Sequence, residues 1–267
     1  MGQCNFHDKI FKNYLPITSV ISPANMDYVF VQFINCLERS QEVPVVHRNL
    51  SISSLMYDPT RSHDGKPYIV LADLDMADSL NSKDCSPIRT GALPFMACDI
   101  LDKPHRPYHL RYDLESALYI AIWIVVNYPI ITGNKEEQKA KRDILKHWEK
   151  GNLTTIFDAK IKFMNEYSEF ERITDTRSSG FKPYGPWLKE IWEVFRTSYY
   201  QAKTKIEEGR EYQQYQARAY GLPLDESPDI FPAGDETLND TVTLSLIKAA
   251  MAKERVMLQR IVKPFIE

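Results

Sequence analysis

The sequence predicts a mainly α-helical fold with a small β hairpin near residue 60. Three observations carry that prediction. Met26, Val29, Phe30, Phe33 and Leu37 recur at helical spacing over 23–40. Residues 113–128 are apolar on nearly every face, the mark of a buried central helix. Two short strand-like segments, 53–57 and 67–73, are separated by turn-rich residues.

The elements follow in chain order. Ser22-Pro23 supplies a cap and first turn for the helix over 23–40. Val43-Pro44-Val45-Val46 is too short for a helix, and Pro44 would cost a central strand one ladder hydrogen bond. Asp58-Pro59-Thr60 and His63-Asp64-Gly65-Lys66 read as turns between the two strands. Residues 76–99 have little periodicity and read as a loop. Beyond the central helix, further helices are expected near 134–150, 184–206 and 238–262. The second carries Leu188, Ile191, Trp192, Phe195 and Tyr199 on one stripe, and the third Leu244, Ile247, Met251, Leu258 and Val262.

Composition narrows the function. The chain has 267 residues with Lys+Arg 33 against Asp+Glu 36, a net charge of -3 that gives no basic excess for nucleic acid. The longest apolar run, Ala117 to Val126, is about half of the ~20 residues that a membrane span needs, so no membrane partner is expected. Asp8, Lys9 and Lys12 leave no apolar run for a secretory signal. Met1-Gly2-Gln3-Cys4 lacks the Ser or Thr at position six that acylation favours, since Phe6 stands there. Cys4, Cys36, Cys85 and Cys98 form no metal or disulfide spacing, which fits a cytoplasmic or nuclear protein.

Four short motifs occur in order: His47-Arg48-Asn49-Leu50-Ser51, Asp73-Leu74-Asp75, Arg89 to Ala97, and Tyr112-Asp113-Leu114-Glu115-Ser116. Their order and spacing resemble the C-lobe of a protein kinase, and most closely the fungal-type protein kinase family. That family reads HRD-[IL]-S, D-F-D, R-T-G-T-x-x-F-M-A and H-D-L-E-S at these places. The departures are Asn49, Leu74, Ala92 and Tyr112.

The resemblance implies a fold and a division of labour. It implies a protein-kinase-like C-lobe lacking most of the N-lobe: a connecting segment over 1–25, the lobe over 26–220, and a linker and helix over 221–267. Only about 25 residues precede the first helix, too few for five strands and a helix, and no GxGxxG occurs. Asn49 stands in place of the catalytic base Asp, and a carboxamide is not a usable proton acceptor near neutral pH. Ser54 stands where the loop Asn would hold a second metal, a weaker ligand for Mg²⁺. Asp73 matches the metal-binding Asp and is read either as that ligand or as a plain strand-end carboxylate. His47 is then a packing residue. Asp113, at a helix start, is read as a scaffold residue that either caps free amides of its helix or steadies the catalytic loop. Asp99 replaces the Glu of Ala-Pro-Glu, which puts that motif's ion pair in doubt. Asp75 is the family's usual residue.

Thr90 and Ser86 are candidate phosphorylation sites, and a phosphate there would suit the Arg48 fork. The charged stretch Lys135 to Lys150 reads as a solvated helix face. With the N-lobe gone, an exposed apolar patch is expected around Met26 to Leu37 and the loop before Asp73. The functional expectation is a catalytically impaired pseudokinase acting through a protein partner, with ATP and Mg²⁺ as cofactors only if binding survives. The alternative is an active protein serine/threonine kinase whose N-lobe is missing from this chain. The sequence is silent on oligomeric state.

Overall fold

The computed structural model describes residues 13–63, 65–79, 91–102, 107–131, 144–220, 237–238 and 240–262. Among these the architecture is helical around one long buried helix, with a small antiparallel sheet at one side. Strand β1 (Leu15–Pro16) pairs with β3 (Leu55–His63), which pairs with β4 (Lys66–Leu71), giving the order β1-β3-β4. A separate two-residue ladder joins β2 (Val45–Val46) to β5 (Asp78–Ser79), with Val46 opposite Asp78.

The hairpin differs from its sequence reading. β3 continues through 58–63, which the composition marks as a turn. A register irregularity between Asp58 and Ser62 takes up Pro59, and the buried Asp58 carboxylate accepts from the Thr60 N–H at 2.9 Å. Pro59 is thus absorbed by a bulge, the one interior position where a strand tolerates it.

Helix α1 (Met26–Glu42) starts three residues later than the Ser22-Pro23 signal implies, because Ser22 to Asn25 form a turn closed by Met26 N–H to Ser22 O. Its apolar face is buried throughout: Met26, Val29, Phe30, Phe33, Ile34 and Leu37 are each 2 % exposed or less. The α1 part of the expected exposed patch is therefore buried, while Leu71 and Ala72 before Asp73 are half-buried. Phe30 meets Trp187 edge-on at 5.9 Å, and the last helix closes over α1 through Lys248–Glu38 and Arg255–Asp27 ion pairs of 2.5 and 3.2 Å. The polar side of α1 serves the sheet. Gln32 donates from Nε2 to Pro67 O at 2.9 Å and accepts the Ile69 N–H at 3.2 Å, so one side chain satisfies the outer edge of β4.

A short helix α2 (Cys98–Asp102) ends the stretch that reads as loop, following a 3-10 turn over Leu93–Phe95. Helix α3 (Leu110–Ile131) is the central helix, extends three residues past the expected 113–128 at each end, and packs against α1, α6 and α7. Of the helix expected near 134–150, the described part is α4 (Lys146–Glu149); 132–143 lie outside the described residues. Two helices have no counterpart in the sequence reading, α5 (Leu153–Asn165) and α6 (Tyr167–Thr174). Helix α7 (Gly185–Tyr220) runs 36 residues, well past the expected end at 206, and its last eighteen residues are exposed or half-buried. Helix α8 (Leu244–Val262) begins after turns at 237–238 and 240–242.

The packing is aromatic. Tyr119, Trp148, Phe163, Phe170 and Trp192 form a continuous set of ring contacts, with Trp192 Nε1 donating to Phe163 O at 2.9 Å. One apolar cluster runs from Ile17 to Met251. Among the described residues, no helix is long and apolar enough to cross a membrane. Cys36 and Cys98 are free thiols.

Candidate functional site

Between β2 and β3 the chain makes the turn that carries the first motif. His47 is buried, and its backbone N–H donates to Asp113 Oδ2 at 2.8 Å. Its ring bridges two segments: Nδ1 accepts the Asn49 N–H at 3.3 Å, which leaves Nε2–H to donate to Ala72 O at 2.9 Å. Arg48 takes a left-handed φ of 68°, and its N–H donates to Asp113 Oδ1 at 3.2 Å. Asp113 lies in the first turn of α3 with no exposure, and Tyr108 OH completes its shell at 2.9 Å. All three donors to Asp113, the His47 and Arg48 amides and the Tyr108 hydroxyl, lie outside its own helix. Burial pushes its carboxyl above the usual range, against the pull of these donors.

Asn49 lies on the rim of this turn. Its Nδ2 donates to Asp73 Oδ2 through a long hydrogen bond of 3.4 Å. Asp73 also takes a left-handed φ, 63°, as the residue before the 3-10 turn Leu74–Met76, and is exposed. Asp is one of the few non-glycine residues that visit this region readily. Asp75 is exposed beside it.

Ser54 is fully buried. Its Oγ accepts the Ser51 N–H at 2.9 Å and donates to Ser51 O at 2.7 Å, closing a capping box at the 3-10 turn Ile52–Ser54. Its backbone carbonyl accepts Ala72 N–H at 2.9 Å, tying the end of β4 to the loop. The hydroxyl is thus employed in the turn and shielded from any ion above it.

Three of the sequence motifs meet here: His47 and Arg48 bond Asp113, and Asn49 bonds Asp73. Arg48 donates from Nη1 to Asp78 Oδ2 at 3.0 Å and lies 5.8 Å from the Tyr108 ring centroid. Thr90 and Ser86 lie outside the described residues. Asp99 pairs with Arg111 at the start of α3, with both side chains buried.

Two residues to which sequence reasoning gave no role hold the segment after Gly91. Glu115 accepts the Cys98 N–H at 2.8 Å and the Tyr119 and Tyr199 hydroxyls, each at 2.7 Å. Lys160, fully buried on α5, donates to Leu93 O at 2.9 Å and Met96 O at 2.5 Å and faces the Tyr119 ring at 4.2 Å. Removal from water brings the Lys160 ammonium down to about 7, against the opposing pull of Cys98 and Glu115. Burial, reinforced by Glu115, pushes the Cys98 thiol well up, so it is not a reactive thiolate. A signal for Lys160 exists: it falls on the Ile156–Phe163 stripe, where a charge is out of place.

The donor set can be tested against a magnesium nucleotide. Kinase-type transfer places two Mg²⁺ ions between an Asp and a loop Asn. Here one exposed carboxylate, Asp73, faces an amide, and the second position is a buried hydroxyl already bonded twice. No group of three or more His, Cys, Asp or Glu that could hold a metal occurs among the described residues. This set does not fit a two-metal phosphoryl-transfer centre.

The loop, the left-handed Asp73 turn and the buried carboxylate beneath them define a protein kinase-like protein. Residues 15–125 match the family model described as fungal protein kinase. The match begins at β1 and ends within α3, so it takes in every site residue from His47 to Asp113. No curated protein matches the chain.

Proposed function

We propose that this chain is a catalytically impaired kinase-type domain that works by contact with another protein. The observation that carries the reading is the Asn49–Asp73 hydrogen bond. Where phosphoryl transfer needs a carboxylate to accept the substrate proton, an amide turns a donor toward the metal-binding Asp instead. The buried Ser54 hydroxyl supports the same reading. The partner is another protein: the outer part of α7 presents Tyr212, Tyr215 and Tyr220, each about 60 % exposed or more, the side-chain type enriched where proteins meet. The near-neutral charge and the free thiols of Cys36 and Cys98 favour a cytoplasmic or nuclear setting without nucleic acid.

The test is a radiometric γ-phosphoryl transfer assay on the purified chain with generic protein substrates, beside thermal unfolding with and without ATP and Mg²⁺. No turnover and no Mg-dependent shift with ATP are expected. A site of useful affinity would raise stability by RT ln(1 + [L]/Kd).

A second reading has one observation in its favour. Asp73 keeps an exposed carboxylate, in a turn gripped by His47 through Ala72 O. On that reading the protein is an active serine/threonine kinase that uses ATP and Mg²⁺. Turnover abolished by Asp73→Ala would replace the first reading with this one.

A further inference from the structure

We infer that Asp78 is a built-in anion for the Arg48 guanidinium, so that the turn carrying Asp73 is held by a carboxylate of the chain itself and needs no added phosphate. The inference rests on reading 47–78 as a kinase-type loop, but not on whether that loop turns over ATP.

The backbone sets up the encounter. Arg48 is fixed in its left-handed conformation by the bond to Asp113, so its side chain leaves the loop in one direction. The β2–β5 ladder places Val46 opposite Asp78, which puts the carboxylate within reach of a side chain two residues beyond Val46. Asp78 uses its two oxygens separately: Oδ1 accepts the Ser79 N–H at 2.8 Å and Oδ2 accepts from Arg48 Nη1 at 3.0 Å. The Arg48 side chain is 12 % exposed and that of Asp78 31 %, so this pair is shielded better than an open surface pair and screened less by salt.

The dipeptide His47-Arg48 therefore clasps the 72–78 turn at both ends. His47 takes Ala72 O, the residue before Asp73, and Arg48 takes Asp78, five residues after it. Between the two grips Asp73 sits at φ 63°. A phosphate would bring close to two negative charges to a guanidinium that already pairs with the Asp78 carboxylate. Asp78 and a phosphate are thus competitors for one fork, and removing Asp78 should open the fork to phosphate.

The experiment is a thermal-unfolding cycle on the full chain: wild type, Asp78→Asn, Arg48→Gln and the double variant, each in chloride and in inorganic phosphate at matched ionic strength. Each single change is expected to lower Tm by about 2–4 °C. The double variant should lose no more than the larger single loss, because the two residues act on one bond. Phosphate should restore at least half of the Asp78→Asn loss and leave wild type and the double variant unmoved. Asp78→Glu should hold the wild-type Tm, and Asp78→Ser takes the place of Asn if that variant fails to fold. Additive losses, or phosphate lifting wild type as much as Asp78→Asn, overturn the inference. No turnover is measured, so the result stands apart from the fate of the pseudokinase reading.

Discussion

The carboxamide of Asn49 and the carboxylate of Asp73 stand 3.4 Å apart, donor to acceptor, across the mouth of the loop. Asn49→Asp would put two carboxylates there. Without a divalent ion, two like charges about 4 Å apart at a solvated surface cost about 1 kcal/mol. The expected outcome is a Tm about 2–4 °C below wild type in EDTA. Mg²⁺ should recover more stability in the variant than in wild type, read by differential scanning fluorimetry.

Asp113 answers three donors at once: two backbone amides from residues 65 and 66 positions earlier, and the Tyr108 hydroxyl. Asp113→Ala leaves all three buried or half-buried without an acceptor. Urea denaturation should report a loss of about 3–5 kcal/mol. Asp113→Asn keeps one acceptor oxygen and should lose about half as much.

Lys160 gives the fold a pH dependence of known sign. Its ammonium titrates at about 7 in the folded protein and at the ordinary 10.5 when unfolded. Above pH 7 the unfolded chain therefore binds more protons than the folded one, and stability from this group rises with pH. Below pH 7 both forms are protonated and the dependence vanishes. Tyr108, Tyr119 and Tyr199, pushed up by burial, pull the other way only above pH 10. The stability of wild type minus that of Lys160→Met should climb between pH 7 and 9.5 by up to about 1.4 kcal/mol per unit. A flat difference would falsify the buried-ammonium assignment.

Gln32 is the sheet's edge guard. Gln32→Leu keeps the volume on α1 but strips Pro67 O and the Ile69 N–H of their partners. A loss of about 1–2 kcal/mol is expected. Hydrogen exchange at the Ile69 amide should accelerate relative to that at Val29, inside α1.

Legibility in the sequence followed the range of the interaction. Helices α1, α3, α7 and α8 were readable because their own apolar periodicity selects the buried face. Helix α5 was not, because Lys160 occupies a core position and breaks its stripe. β1, β2 and β5 are two residues each, defined by partners tens of residues away, and no local pattern announces them. Asn49, Asp73 and Asp113 stood out through motif order. The partners of Arg48 and Asp99 did not, since Asp78 reaches Arg48 only through the β2–β5 register and Arg111 reaches Asp99 only once α3 has docked. The expectation of an exposed α1 failed for a related reason: what covers it, α7 and α8, comes from the far end of the chain.

The length of α7 has a mechanical side. Its last fully buried turn ends at Ala202, and Tyr220 lies eighteen residues further on, about 27 Å along the axis at 1.5 Å per residue. A rigid arm of that length multiplies rotation: a tilt of about 10° at its root carries the tip roughly 5 Å. Small rearrangements around Trp192 and Tyr199, whose hydroxyl bonds Glu115 in the central helix, would thus be written large at Tyr220. A fluorophore there makes α7 a pointer to the state of the core.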